Sequence, residues 1–295
     1  MSSNQSYYVP DQSKWPIVGS VGMLLMLGGM GLLMVNHSEG DPTGTSWTLF
    51  LLGAAVMIYM ISGWLRDVIN ESRAGLYDAQ MDRSFRQGMG WFIFSEVAFF
   101  LALFGSLFYV RMFAVPWLGG EGEKGVANIL WEGFEAQWPL LTNPDPSAYV
   151  GPDGVFSAWG LPLLNTAILV ASSITLTFSH HALKEDKRQP AIRWLALTVA
   201  LGAIFLFFQS YEYVEAYRDY NLTLDSGIYG SLFFLMTGFH GIHVLLGAII
   251  LAVVLVRLIK GHFSGEQHFG YEAGAWYWHF VDVVWIALFI FVYVI

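Results

Sequence analysis

Seven long apolar runs constrain the fold of this chain more than any other feature. Each has about 20 residues or more, the length that an α-helix needs to cross the hydrocarbon core of a bilayer. The runs are residues 16–35, 47–65, 89–113, 160–180, 192–213, 228–259 and 273–293. Charged residues make up only 13% of the chain, whereas a soluble domain has about a quarter. The sequence therefore predicts an all-α polytopic membrane protein with seven transmembrane helices.

The basic residues between the runs predict the orientation of the helices. Cytoplasmic connections are enriched in Lys and Arg, so the distribution predicts a cytoplasmic N-terminus and an external C-terminus. The residues expected on the cytoplasmic side are Lys14, Arg66, Arg73, Arg83, Arg86, Lys184, Lys187, Arg188, Arg193, Arg257 and Lys260, against Arg111, Lys124 and Arg218 on the other side. The long connection 114–159 is acidic and falls outside.

Charge and cysteine content exclude two classes of function. A net charge of −9 argues against nucleic-acid binding, since that requires basic surfaces. The chain has no cysteine, so it forms neither disulfides nor thiolate metal sites. The first residues also lack the charged region, short apolar run and cleavage site of a signal peptide.

Three histidines and an aspartate lie within the last two runs, where hydrocarbon makes them costly. His240 and His243 are three residues apart in one run, and His279 and Asp282 are three apart in the next, so each pair is expected on one helix face. One interpretation is a metal or haem site between two helices. The other is structural: histidines hydrogen-bonded to Asp282, to Glu272 or to backbone of adjacent helices.

Further polar residues lie inside or at the ends of the runs. Glu96 lies in the third run. One interpretation is a proton-relay or lipid-contacting acid, and the other is a neutral acid hydrogen-bonded to a neighbouring helix. In a rival hypothesis the chain is a proton-coupled transporter and Glu96 is its carrier site. His180 and His181 end the fourth run, where a partly solvated interfacial pair is expected. Basic residues at other ends, Arg66 and Arg257 among them, are expected to reach lipid headgroups.

Several blocks of sequence identify a family. The chain resembles subunit III of haem–copper cytochrome c oxidase in FHGIHV at 239–244, HFGYE at 268–272 and AWYWHFVDVVWI at 275–286. Four more blocks agree in order, namely WLRDVINES at 64–72, FIFSEVAFF at 92–100, LPLLNT at 161–166 and SHH at 179–181. The resemblance covers nearly the whole chain.

The resemblance implies an accessory subunit of a proton-pumping aa3-type oxidase that passes electrons from ferrocytochrome c to O2. It implies that helices 1–2 (residues 1–67) are separated from helices 3–7 (68–295, with the external loop 114–159) by a V-shaped cleft filled with phospholipid. Haem and copper would belong to subunits I and II. This chain would carry no catalytic centre, pack on subunit I, sustain proton uptake and protect the complex during turnover.

The resemblance also assigns residues by position. Glu96 matches the family's membrane-embedded acid. The positions associated with lipid are Trp64, Arg66, Glu71, Arg257, Lys260 and His262. For the histidines, the resemblance favours the structural interpretation. The residues expected to form structural polar contacts are His240, His243, Glu272, His279 and Asp282, and no metal ligand is expected. Leu65 and Asn70 depart from the residues common at the family's lipid positions.

The length of the external loop and the presence of the first two helices refine the expectation. A loop longer than in the compact mitochondrial form indicates a bacterial inner-membrane protein, and helices 1–2 favour cytochrome c over quinol as the donor.

Two hypotheses concern the charged surfaces of the chain. Asp67, Glu71, His262 and His268 would help to collect protons, and the acidic segment 121–153 would attract a basic cytochrome.

Overall fold

Seven long helices dominate the computed structural model, which describes residues 12–295. All seven are long and apolar enough to cross a membrane, which confirms the predicted number of spans. No strand is found among the described residues. The helices are α1 Trp15–Glu39, α2 Gly44–Arg73, α3 Ala79–Tyr109, α5 Leu161–Lys184, α6 Arg188–Asp219, α7 Ile228–Ile259 and α8 Phe269–Leu288, with the short α4 Val115–Leu118 after α3.

Two π-helical segments prolong the long helices. Val110–Ala114 connects α3 to α4, and Phe289–Val294 follows α8. Contacts within the chain define two compact units. One comprises the described residues up to Phe85 and the other comprises Arg86–Ile295, so the division falls inside α3.

The first unit is built on a close antiparallel pair, α1 and α2. Pro16 stands in the first turn of α1, where its missing N–H costs no hydrogen bond. Gly40 ends the helix in the left-handed conformation, at φ 75°, and its N–H bonds to carbonyls of the last turn. A side chain at Gly53 would collide with the backbone of Met26, so the two helices approach more closely than any larger residue permits.

The core of the second unit surrounds two tryptophans of α8. Trp278 and Trp285 are fully buried and donate hydrogen bonds of 2.9 Å to the hydroxyls of Ser172 and Thr166 on α5. Gly202 on α6 faces the ring of Trp278, where a Cβ would fall 2.6 Å from Cη2. The pairing of a bulky ring with a glycine brings α6 against α8.

The segment between α4 and α5 packs on the helices of the second unit, to which it belongs. It contains a 3₁₀ helix, Gly125–Leu130, and contributes Phe134 and Leu140 to a buried apolar cluster. Asn143 is 5% exposed and donates from Nδ2 to the carbonyls of Tyr149 and Ser226, which ties the segment to the connection between α6 and α7. The segment therefore has a fixed shape.

A small turn at Asp145 stabilises part of this segment. The Asp145 carboxylate accepts hydrogen bonds from the Ser147 hydroxyl, at 2.6 Å, and from the backbone N–H groups of Ser147 and Ala148. These bonds, with that from the Ser147 side chain contributing most, favour the ionised form and hold the pKa of Asp145 below its usual value.

Candidate functional site

A carboxyl–imidazole pair joins α3 and α7. Oε2 of Glu96 lies 2.8 Å from Nε2 of His243. The other ring nitrogen, Nδ1, lies 2.6 Å from the carbonyl of Phe239 one turn earlier, and it must donate there because a carbonyl only accepts. The bond between Nε2 and the carboxyl group then requires one shared proton. Glu96 and His243 are either an ion pair or a neutral pair with the proton on the carboxyl group.

Aromatic rings surround this pair. The Phe99 and Tyr277 rings lie nearly parallel to the His243 imidazole, at 6.1 and 6.4 Å between centroids, and Phe100 meets it edge-on at 5.1 Å. The Glu96 side chain is 22% exposed and that of His243 14%. The expected buried acid is therefore half-buried and hydrogen-bonded to a neighbouring helix.

The four polar residues of the last two helices do not form one ligand site. His243 turns toward α3, whereas His240 is fully buried against Phe205 and Trp285, and its Nε2 lies 3.1 Å from the carbonyl of Val281. Residues three apart on a helix differ by about 60° in direction, which separates the two histidines. The metal or haem interpretation of His240, His243, His279 and Asp282 is thus wrong in its geometry.

His279 and Asp282 lie on α8, and Asp282 is 8% exposed. Neither forms a hydrogen bond with His240 or His243: the partner of His240 is backbone and that of His243 is Glu96. The structural interpretation, histidines bonded to Asp282, to Glu272 or to backbone of adjacent helices, describes His240, which contacts backbone of α8; the acid bonded to His243 is Glu96 instead.

A second polar cluster lies where α5 ends and α8 begins. Glu272 Oε2 is 2.5 Å from Nη1 of Arg86, and its Oε1 faces Nε2 of both His180 and His268, at 3.7 and 3.5 Å. His181 is exposed, so the expected interfacial pair is divided between an exposed ring and a ring that enters the helix bundle. His268 is 8% exposed, too buried for a surface proton collector.

The candidate lipid residues occur in both units. In the first, Trp64 is 51% exposed, Arg66 is exposed, and Glu71 accepts a hydrogen bond of 2.8 Å from the Tyr77 hydroxyl. Asp67, one of the candidate proton collectors, accepts a hydrogen bond of 2.7 Å from Nε1 of Trp15. These contacts hold both carboxylates in defined positions.

In the second unit the basic residues gather at the end of α7. The Arg257 guanidinium lies over the Phe263 ring at 4.4 Å, Lys260 is exposed and His262 is half-buried. Arg188, which was not among the candidate lipid residues, donates to the carbonyls of Leu258 and Ile259 at the carboxyl end of the same helix. The side chains that could contact a headgroup are thus fixed at one helix end.

One buried acid was not recognised in the sequence. Glu212 on α6 is fully buried, and the Tyr293 hydroxyl donates to its Oε1 at 2.5 Å. Its place inside the run 192–213 was the available signal, because an acid within an apolar helix usually has a partner or a function. Here the partner comes from the segment that follows α8, so Glu212 helps to fix the chain's end.

Comparisons with known proteins agree with this architecture. A sequence model of the family described as Cytochrome c oxidase subunit III matches residues 5–143 and 144–295. Cytochrome c oxidase subunit 3 of Gadus morhua and that of Danio rerio are each 40% identical to this chain over 291 residues, which cover 98% of this chain and 96% of the relative. The protein from Cyprinus carpio is 39% identical over the same shares. The chain therefore belongs to the cytochrome c oxidase subunit III family.

Proposed function

We propose that this subunit of cytochrome c oxidase acts without a redox centre of its own: it stabilises subunit I, supports proton uptake and binds phospholipid. The observation that carries the proposal is the Glu96–His243 pair. A carboxyl group and an imidazole share one proton there, between α3 and α7 and among aromatic rings. Such a pair keeps a carboxyl group hydrogen-bonded inside the membrane, whichever of the two groups carries the shared proton.

Exposed apolar surface supports a role in packing and lipid binding. On α3, Trp91, Phe94 and Leu101 are 71%, 62% and 63% exposed. In a membrane such side chains face acyl chains or another protein. We propose that they contact subunit I or lipid, that Trp64, Arg66 and Glu71 bind headgroups from helices 1–2, and that Arg257, Lys260 and His262 do so from the end of α7.

The division into residues 1–67 and 68–295, with a lipid-filled cleft between them, belongs to the same proposal. So do the partners: haem and copper in subunits I and II, subunit I in direct contact, and cytochrome c as the donor of an aa3-type complex. Of the candidate proton collectors, Asp67, Glu71 and His262 are retained and His268 is dropped because it is buried.

The experiment compares the purified complex with and without this chain. We expect unchanged haem and copper content, fewer turnovers before inactivation, slower proton uptake and loss of bound phospholipid when the chain is removed. Haem or copper that left together with the isolated chain would overturn the assignment of the redox centres to the partners. Equal turnover lifetimes and lipid content would overturn the accessory role.

The orientation in a bacterial inner membrane, with a cytoplasmic N-terminus and a periplasmic C-terminus, can be tested with single cysteines. The chain has none of its own, so each new thiol reports alone. Glu123→Cys and Glu266→Cys are matched, because both glutamates are exposed and lie in different connections. An impermeant maleimide should label Glu123→Cys in intact spheroplasts, but Glu266→Cys only after lysis. The reverse pattern would invert the topology.

The acidic loop suggests how the complex attracts its donor. Glu121, Glu123, Glu132 and Glu135 are exposed on the folded segment between α4 and α5. We propose that they speed the encounter with a basic cytochrome at low salt. Because the segment also contributes buried residues, Glu→Gln substitutions test this better than a deletion. An unchanged association rate and salt dependence would contradict the proposal.

A further inference from the structure

Two imidazole nitrogens and one carboxylate oxygen converge where α5 ends and α8 begins. His180 Nε2 lies 3.7 Å and His268 Nε2 3.5 Å from Glu272 Oε1, and the three ligand atoms lie within 4.8 Å of one another. Within residues 12–295, these are the only three His, Asp or Glu side chains whose ligand atoms come so close. His268 and Glu272 are four residues apart, on one face of the first turn of α8.

The hydrogen bonds of His268 direct its lone pair into this space. Its Nδ1 lies 3.0 Å from the carbonyl of Ser264 and must donate to it. In the neutral ring, Nε2 then carries a lone pair, which points toward a carboxylate oxygen. Neither Nε2 of His268 nor that of His180 forms a hydrogen bond, although both atoms are buried. Lone pairs that face one another are stable when a cation lies between them.

The surrounding residues fix the other two ligands. Arg86 pairs with Oε2 of Glu272 and leaves Oε1 directed at the two imidazoles. The His180 ring stacks on Tyr271, with centroids 5.4 Å apart and planes at 25°. A histidine that donates its other N–H to a backbone carbonyl, beside a carboxylate held by a second partner, is the usual surrounding of a metal ligand.

We propose that His180, His268 and Glu272 bind a divalent cation of the zinc class, with water completing the coordination. In a tetrahedral zinc site with bonds near 2.05 Å, ligand atoms are separated by about 3.4 Å. The two distances to Glu272 Oε1 are close to this value, and a small rotation of the His180 ring brings the third pair nearer. Two imidazoles with one carboxylate suit Zn²⁺, whereas Mg²⁺ and Ca²⁺ prefer oxygen ligands.

The cluster lies next to partly exposed side chains. The His180 side chain is 22% exposed and that of Arg86 38%, so only these side chains separate the buried ligand atoms from the surface of the described chain. Once bound, the ion joins the end of α5 to the start of α8. The site is separate from the Glu96–His243 pair, because it uses neither residue.

The test measures zinc binding to the purified oxidase by equilibrium dialysis and metal analysis. His268→Gln and Glu272→Gln should each lower bound zinc by one equivalent per complex, at a free concentration that saturates the unmodified protein. His181→Asn is the matched control, because His181 adjoins His180 but is exposed, and it should retain the full number. Equal zinc in all four proteins would refute the site.

A second measurement does not depend on the variants. Crystals of the unmodified complex soaked in Zn²⁺ should show anomalous scattering at the zinc edge between His180, His268 and Glu272. Absence of a peak there at saturating zinc would overturn the proposal even if a variant failed to assemble. Both measurements detect the ion itself, so the result is independent of oxidase activity and of the proposed role in proton uptake.

Discussion

Adjacent glycines on α1 provide the sharpest test of the packing in the first unit. A Cβ added at Gly29 would lie 2.8 Å from Cα of Phe50 and 3.0 Å from the carbonyl carbon of Leu49, whereas a Cβ at Gly28 would have no atom within 4 Å. Ordinary contacts between carbon atoms are about 3.5–4.0 Å. Gly29→Ala therefore requires α1 and α2 to separate by on the order of 1 Å, and Gly28→Ala requires no movement.

The two variants isolate the cost of that separation. Both replace glycine by alanine in the same helix, so the change in helix propensity cancels in the comparison. Overpacking by one methyl group costs about 1–3 kcal/mol. We expect Gly29→Ala to lower the free energy of unfolding by that amount relative to Gly28→Ala. A titration with SDS of the chain in mixed micelles, followed by tryptophan fluorescence, measures the difference. Equal midpoints would contradict the close approach of the two helices.

Substitutions at three further positions test the polar contacts of the second unit. Glu96→Gln should leave subunit retention after a detergent challenge unchanged, since an amide N–H donates to His243, whereas Glu96→Leu leaves that ring unpaired and should destabilise by about 1–3 kcal/mol. Asn143→Ala removes both hydrogen bonds of a buried amide and should make the segment between α4 and α5 susceptible to limited proteolysis. Trp285→Phe loses the bond to Thr166 and buried volume, and should lower the thermal midpoint of the chain.

Matched controls accompany these variants. Gln137→Ala alters an exposed side chain in the same segment as Asn143 and should not change the rate of proteolysis. Trp159→Phe alters a tryptophan that is 72% exposed and should leave the thermal midpoint unchanged. Wild-type retention for Glu96→Leu would contradict the hydrogen bond to His243. Wild-type resistance for Asn143→Ala would contradict the role of Asn143 as an anchor.

The extent of the helices illustrates what hydropathy can and cannot predict. The run 192–213 became α6, Arg188–Asp219, and the run 47–65 became α2, Gly44–Arg73. Hydropathy detects the part of a helix inside hydrocarbon, where every backbone group must be bonded within the helix. The polar turns beyond it satisfy the same backbone bonds in water and carry no apolar signal, so the sequence predicted the spans but not their ends.

The glycines of α1 show a similar limit. Gly28, Gly29 and Gly31 all fit the small-residue pattern of helix packing, yet only Gly29 meets the backbone of α2. The helix period places them in different directions, but it does not state which direction a neighbouring helix occupies. That choice depends on the short turn between α1 and α2 and on the packing of the whole pair.

The polar residues divide in the same way. Composition and the length of the apolar runs determined that this is a seven-helix membrane protein, because hydrocarbon admits little else. Spacing within one helix placed His240 and His243 near one another, and likewise His279 and Asp282. Only the tertiary structure shows that His243 is hydrogen-bonded to Glu96, that His240 packs against Trp285 and that His180 lies beside Glu272. Those partners are separated by 45 residues or more, and contacts between helices depend on how the helices pack, which periodicity along a single helix does not encode.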